Sequence, residues 1–124
     1  VFKLFTVLGA LNAFLSIALG AFGAHGLKDK LNAYYMDIYH TGVQYHMMHA
    51  IGLLIVGLLA ERLSSQAGLL GWAGWLMFVG IVLFSGSLYA LSVTKIGVLG
   101  AITPVGGVLF LVSWLLVVIS VIRA

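Results

Sequence analysis

Four apolar runs, each long enough to cross a bilayer, alternate with short polar breaks along this chain. A hydrocarbon core of about 30 Å takes roughly 20 residues of helix, so the runs predict spans at about residues 2–24, 42–60, 68–92 and 98–123. Within the first, Gly9, Asn12, Ala13, Ser16, Gly20 and Gly23 recur in steps of three or four and so share one helical face. Small side chains let backbones approach closely where lipid supplies no hydrophobic drive to associate. That face is expected to meet another helix, within the chain or in a second copy. Gly23 and Gly26 bracket His25 and suit a helix end.

Between the first two spans the pattern changes. Leu31, Tyr34, Tyr35, Ile38 and Gly42 fall on one face, with Asp29, Ala33, Asp37, His40 and Gln44 opposite. This predicts an amphipathic helix over residues 29–41, lying on the membrane surface with its tyrosines at headgroup level, and either separate or running straight into the second span. Glu61 to Gln66 reads as a polar turn, and Trp72 and Trp75 mark the opposite interface. Ser85, Ser87 and Tyr89 then return polarity to the half of the bilayer that holds His46 and His49. Thr103 before Pro104 predicts an N-cap with proline at the first helical position, leaving 96–102 as a packed loop or re-entrant turn. The alternative is one longer helix kinked at Pro104. The fold class expected is all-α: an integral membrane four-helix bundle, one domain, with an interfacial helix between spans one and two.

Composition agrees. A chain 63% hydrophobic and 7% charged, with mean hydropathy +1.20, is not a water-soluble domain, where about a quarter of residues are charged. The net charge of +3 is scattered over termini and connections, which excludes nucleic acid as a partner. With no cysteine there is no thiolate metal site or iron–sulfur cluster. Lys3, an apolar run and Ala21 to Ala24 imitate a secretory signal, but the run of about 20 residues exceeds the usual signal core and is read as a span. Basic side chains tie at three per membrane face; because Lys28 and Lys30 sit beside an acid, the expectation tilts towards both termini inside.

The strings GAFGAHGLK at 20–28, YHTGVQYHMMHAIGLL at 39–54, FSGSLY at 84–89 and GAITPVGGVLFLVSW at 100–114 resemble those of a widespread family of small four-span bacterial inner-membrane proteins. Its animal relatives are called transmembrane protein 256, and the family is known chiefly as a domain of unknown function. The resemblance covers nearly the whole chain. It implies a multi-pass plasma-membrane protein of four helices and supplies no activity, ligand or catalytic residue.

His46 and His49 are three apart, a spacing that lets two side chains on one face reach a common point. His25 and His40 lie on the same side of the membrane and complete a candidate metal set of His46, His49, His25 and His40; Met47 or Met48 would suit a softer ion. A metal or haem is thus a candidate cofactor, although nothing in the sequence requires one. The plainer reading is that the imidazoles bond across helices to a polar cluster of Asn12, Ser16, Gln44, Ser85, Ser87 and Tyr89. A proton pathway is a third reading, weakened because no Asp or Glu lies within a span. Asp37, His40 and Gln44, with Tyr39 and Tyr45 nearby, would serve an enzyme acting on lipid-like substrates, but a solvated polar face explains them more simply. Lys28, Lys30, Tyr34 and Tyr35 form the expected lipid-facing interface.

The leading expectation is a non-enzymatic component of the plasma (inner) membrane, surrounded by membrane lipid, with a histidine cluster near one face. Four short spans enclose little volume, so it is expected to assemble as a symmetric homo-oligomer or with protein partners.

Overall fold

A computed structural model describes residues 1–124. Four helical segments are long and apolar enough to cross a membrane: Phe2–Gly26, Ala33–Arg62, Ser64–Thr94 and Gly97–Arg123. The first two are the uninterrupted helices α1 (Phe2–Gly26) and α2 (Ala33–Arg62). The third is built from a 3₁₀ turn at Ser64–Gln66, α3 (Ala67–Gly80), a π turn at Ile81–Ser85 and α4 (Gly86–Thr94). The fourth opens with a 3₁₀ turn at Gly97–Ala101 and continues as α5 (Thr103–Arg123).

Short connections force consecutive spans to lie antiparallel and adjacent. Asn32 starts α2, its side-chain oxygen accepting the Tyr35 N–H at 3.0 Å, which satisfies a donor that the first turn leaves orphaned. Lys95 ends α4 in the left-handed conformation, φ 62°, and donates its N–H to the Leu91 carbonyl. Its ammonium then sits 5.4 Å from the centre of the Tyr35 ring, a cation–π contact that joins the start of α2 to the end of α4.

Two sequence expectations change. No separate interfacial helix occupies 29–41: residues 27–32 turn, and α2 runs from Ala33 without a break. The cause is a buried stripe of Tyr39, Gly42, His46, His49, Leu53, Val56 and Ala60, spaced by three and four residues, so the packing face of the span already begins in its outer turns. The expected apolar face pointed instead to Tyr34, which is 68% exposed, whereas Tyr39 is 2% exposed. Likewise Thr103 is not the N-cap of α5. Ile102 takes that place and Pro104 sits one position further in, because the Thr103 hydroxyl is engaged at 2.6 Å with Ser87 of α4. Of the readings for the tract before Pro104, the turn fits rather than the kinked α-helix: it is mostly 3₁₀ over Gly97–Ala101.

Helix α2 is the hub, packed on α1, α3 and α4, while α5 packs on α3 and the π turn. The small-residue face of α1 is used inside the chain. A Cβ on Gly9 would fall 2.9 Å from the Ala50 carbonyl, and one on Gly23 would enter the Tyr39 ring. The interior is divided along its length: Phe5, Leu53, Val56, Leu70, Met77 and Phe110 belong to a continuous apolar core, and towards the other membrane face lie buried Asn12, Ser16, His46, His49, Ser85 and Ser87. Outward-facing Phe14, Ile17, Leu58, Leu111 and Ile122 are each at least 60% exposed. Apolar surface on this scale requires lipid rather than water.

The closest backbone approach is at Gly106, where a Cβ would stand 2.5 Å from the Phe84 nitrogen and 2.9 Å from its Cα. Backbone cannot swing aside, so Gly106→Ala is expected to cost about 1–3 kcal/mol through overpacking. Gly71, with nothing within 4 Å of its Cβ position, should accept alanine with no loss or a gain of up to about 1 kcal/mol from helix propensity. Unfolding of both variants by denaturing detergent checks this; equal tolerance would contradict the packing.

Candidate functional site

The two buried imidazoles project from α2 towards different helices, and their partners fix their chemistry. The Nδ2 of Asn12 donates to the Leu8 carbonyl of its own helix at 2.8 Å, which leaves Oδ1 turned inward as an acceptor. His46 Nε2 lies 2.9 Å from that oxygen and must donate. A neutral ring then has a bare Nδ1, which accepts the Tyr89 hydroxyl at 2.9 Å. His49 is the reverse. Its Nδ1 lies 2.8 Å from the Tyr45 carbonyl and must carry the proton, so Nε2 is free to accept the Trp114 indole N–H at 3.0 Å. The His49 ring also lies flat on Phe110, centroids 3.5 Å apart and planes within 7°.

One imidazole therefore ties α1 to α2 and α4, and the other ties α2 to α5. All four ring nitrogens are engaged. This corrects the expected single histidine cluster: from one buried face of α2, His46 turns towards α1 and α4 and His49 towards α5, while His25 and His40 are exposed. No three of His, Asp and Glu come together as a metal site would need. The expected metal set does not assemble because the same spacing that puts two residues on one face also lets each find a different neighbouring helix.

The polar cluster assembles in part. Asn12 and Tyr89 meet His46 as expected, but Ser16 turns back to the Ala13 carbonyl. Ser85, in the π turn, donates to the Gly42 carbonyl of α2 at 2.8 Å, and Ser87 bonds the Phe84 carbonyl and Thr103. Gln44 is exposed, as are Asp37 and His40, the other members of the lipid-enzyme candidate. Lys28, Lys30 and Tyr34 are exposed, with Tyr35 half-buried against Tyr34 at 5.0 Å between centroids.

Three participants were missed from sequence. Tyr39 donates its hydroxyl to the Leu19 carbonyl of α1 and packs its ring 5.3 Å from that of Tyr89; its place three before Gly42 and seven before His46 was the available signal. Trp114 carried a stronger one. It stands eleven residues after Thr103, away from either interface, and an indole N–H in hydrocarbon requires an acceptor. Thr103 was read as a cap because the partner across the helix pair cannot be seen in local sequence.

Comparison with known proteins comes to the same kind of molecule. A family model described as "Protein of unknown function (DUF423)" matches residues 19–107. The UPF0382 membrane protein YwdK of Bacillus subtilis (strain 168) is 59% identical over 121 residues, 98% of each chain. A UPF0382 membrane protein of Staphylococcus epidermidis is 52% identical over 121 residues, 98% of this chain and 97% of that one. Another, from Staphylococcus aureus, is 48% identical over 118 residues, 95% of this chain and 94% of its own. No solved structure gives a significant match.

The hydrogen-bond roles predict an imidazole pair in opposite neutral tautomers. Nitrogen-15 NMR of the protein in nanodiscs at neutral pH should show His46 protonated on Nε2 and His49 on Nδ1. Two rings in the same tautomer, or either as imidazolium, would contradict the assignment.

Proposed function

Given that the chain belongs to DUF423, a family of unknown function whose relatives are named membrane proteins, we propose that it is a non-catalytic, multi-pass component of the bacterial plasma membrane. Its buried imidazoles act as fasteners between helices. The observation that carries this reading is the engagement of every ring nitrogen of His46 and His49 by an atom of the same chain. A general base or a metal ligand needs at least one nitrogen directed at a substrate or ion.

Self-association belongs to the same proposal, but through α3 rather than α1. Gly68 and Gly71 have nothing within 4 Å of their Cβ positions, and they line a depression of about 330 Å³ together with Trp72 and Trp75. A small-residue face left open towards lipid suits the close approach of a helix from a second copy. The rest of the outer surface is met by lipid, with Lys28 and Lys30 at headgroup level beside Tyr34.

Elemental analysis and an absorption spectrum of protein purified in mild detergent should show no stoichiometric transition metal and no haem band. A stoichiometric metal lost in His46→Ala or His49→Ala would overturn the structural role of the imidazoles. Native mass measurement in nanodiscs should give a multimer that Gly71→Leu converts to monomer. A strictly monomeric mass in nanodiscs and in several detergents would remove self-association.

A further inference from the structure

Beside His49, a groove of about 440 Å³ opens between α2, the π turn and α5. Its walls are rich in rings: five of its ten lining residues are aromatic, namely Tyr45, His49, Phe84, Phe110 and Trp114. Tyr45 lies within 11° of parallel to both His49 and Phe110, at 6.4 and 6.5 Å between centroids. Being almost equidistant from two rings stacked at 3.5 Å, it stands alongside that pair; because His49 and Phe110 are themselves buried, the ring surface offered to the groove is mainly that of half-buried Tyr45, Phe84 and Trp114. Phe84 closes the side, 4.6 Å from Tyr45 and 5.4 Å from Phe110. At the rim, Met48, Val108 and Leu111 are 46%, 57% and 68% exposed, so the opening faces acyl chains.

We propose that this groove binds an isoprenoid lipid with an uncharged, flat, conjugated head, of the prenylquinone class. Size is compatible, since the volume falls in the usual range for small-molecule sites of about 300–1,000 Å³. Shape and electronics select the head: aromatic faces prefer flat π partners, whereas a saturated acyl chain needs no ring at all. Charge excludes a phosphate-bearing head, because no Lys or Arg lines the groove. The Tyr45 side chain supplies the polar contact. Its carbonyl is taken by His49, while its phenol makes no hydrogen bond within the chain and is the donor that a ring carbonyl in the groove would use. From Pro104 to Trp114 the groove follows α5 for about 15 Å at 1.5 Å per residue, a length over which a tail can leave past Leu111. This site asks nothing of the imidazole fastening or of self-association: both ring nitrogens of His49 stay bonded within the chain, and the groove uses the exposed sides of Tyr45, Phe84 and Trp114.

The test uses the full chain in detergent with Trp72→Phe and Trp75→Phe, both exposed positions, leaving Trp114 as the sole indole. Decylbenzoquinone, a short-tailed probe, should quench its fluorescence saturably. Gly107→Leu is the blocking variant, since a Cβ there meets only the Phe84 ring at 3.8 Å and the longer side chain would fill the groove. It should weaken the apparent affinity at least tenfold, and Tyr45→Phe should weaken it about threefold to tenfold. If circular dichroism shows Gly107→Leu to be unfolded, Val108→Trp, read by retention of tritiated probe, serves in its place with the same expected loss. Quenching that is linear in probe and unchanged by the plug would overturn the proposal, as would equal displacement by dioleoylglycerol, which marks an acyl-chain crevice.

Discussion

An amide, two imidazoles, an indole and two phenols are held inside a structure whose outer solvent is hydrocarbon, and each must find a partner there. In water the hydrophobic effect would press the helices together; in lipid it does not, and association falls to packing and interhelical hydrogen bonds. Here the bonds radiate from α2. His46 reaches α1 and α4 through Asn12 and Tyr89, His49 reaches α5 through Trp114, and Tyr39 reaches α1 through the Leu19 carbonyl. The net gain from one such bond is modest, on average about 0.6 kcal/mol where it has been measured. The penalty for leaving a partner behind unpaired is larger, about 1–3 kcal/mol. Pairing therefore selects one arrangement of the four spans more than it deepens the well.

Glycine makes these bonds reachable. A Cβ on Gly23 would enter the Tyr39 ring, and one on Gly42 would lie 3.0 Å from the Tyr89 ring. The two rings that carry the bonding hydroxyls are thus seated over bare backbone. Gly106 does the same for the π turn, whose extra residue brings Ser85 to the Gly42 carbonyl. Such turns concentrate where a helix departs from regularity for a functional reason, and this one forms a wall of the aromatic groove. Packing, hydrogen bonding and groove share one set of helix contacts.

Much of this was legible in the chain. Hydropathy and length indicated four spans, and counting them put His46, His49, Ser85 and Tyr89 at the same level, in agreement with the contacts of His46 with Tyr89 and of Ser85 with Gly42. Asn12 and Tyr89 were both among the expected partners of the imidazoles, and both meet His46. Periodicity, however, reports a face and not what the face meets. It put His46 and His49 together, although each turns to a different helix, and it gave the tyrosine stripe to the surface when Tyr39 belongs to the interior. Thr103 shows the same limit: its local sequence fits a cap, and only the approach of α4 gives its hydroxyl a better partner. Trp114 was the readable signal left unread, because a tryptophan is ordinarily assigned to the interface and this one lies mid-span.

The central claim, that polar pairs across α2 hold the bundle, is tested most directly by a double-mutant cycle on Asn12 and His46, using Asn12→Leu, His46→Leu and the pair, with unfolding free energies measured in mixed detergent. A coupling of about 0.5–2 kcal/mol is predicted, the double variant losing less than the sum of the single ones because neither Asn12 nor His46 is left facing an unpaired partner, while the loss of the Tyr89 contact is common to the His46 single and double variants and cancels. Strict additivity would mean that the two side chains do not depend on each other, and would contradict it.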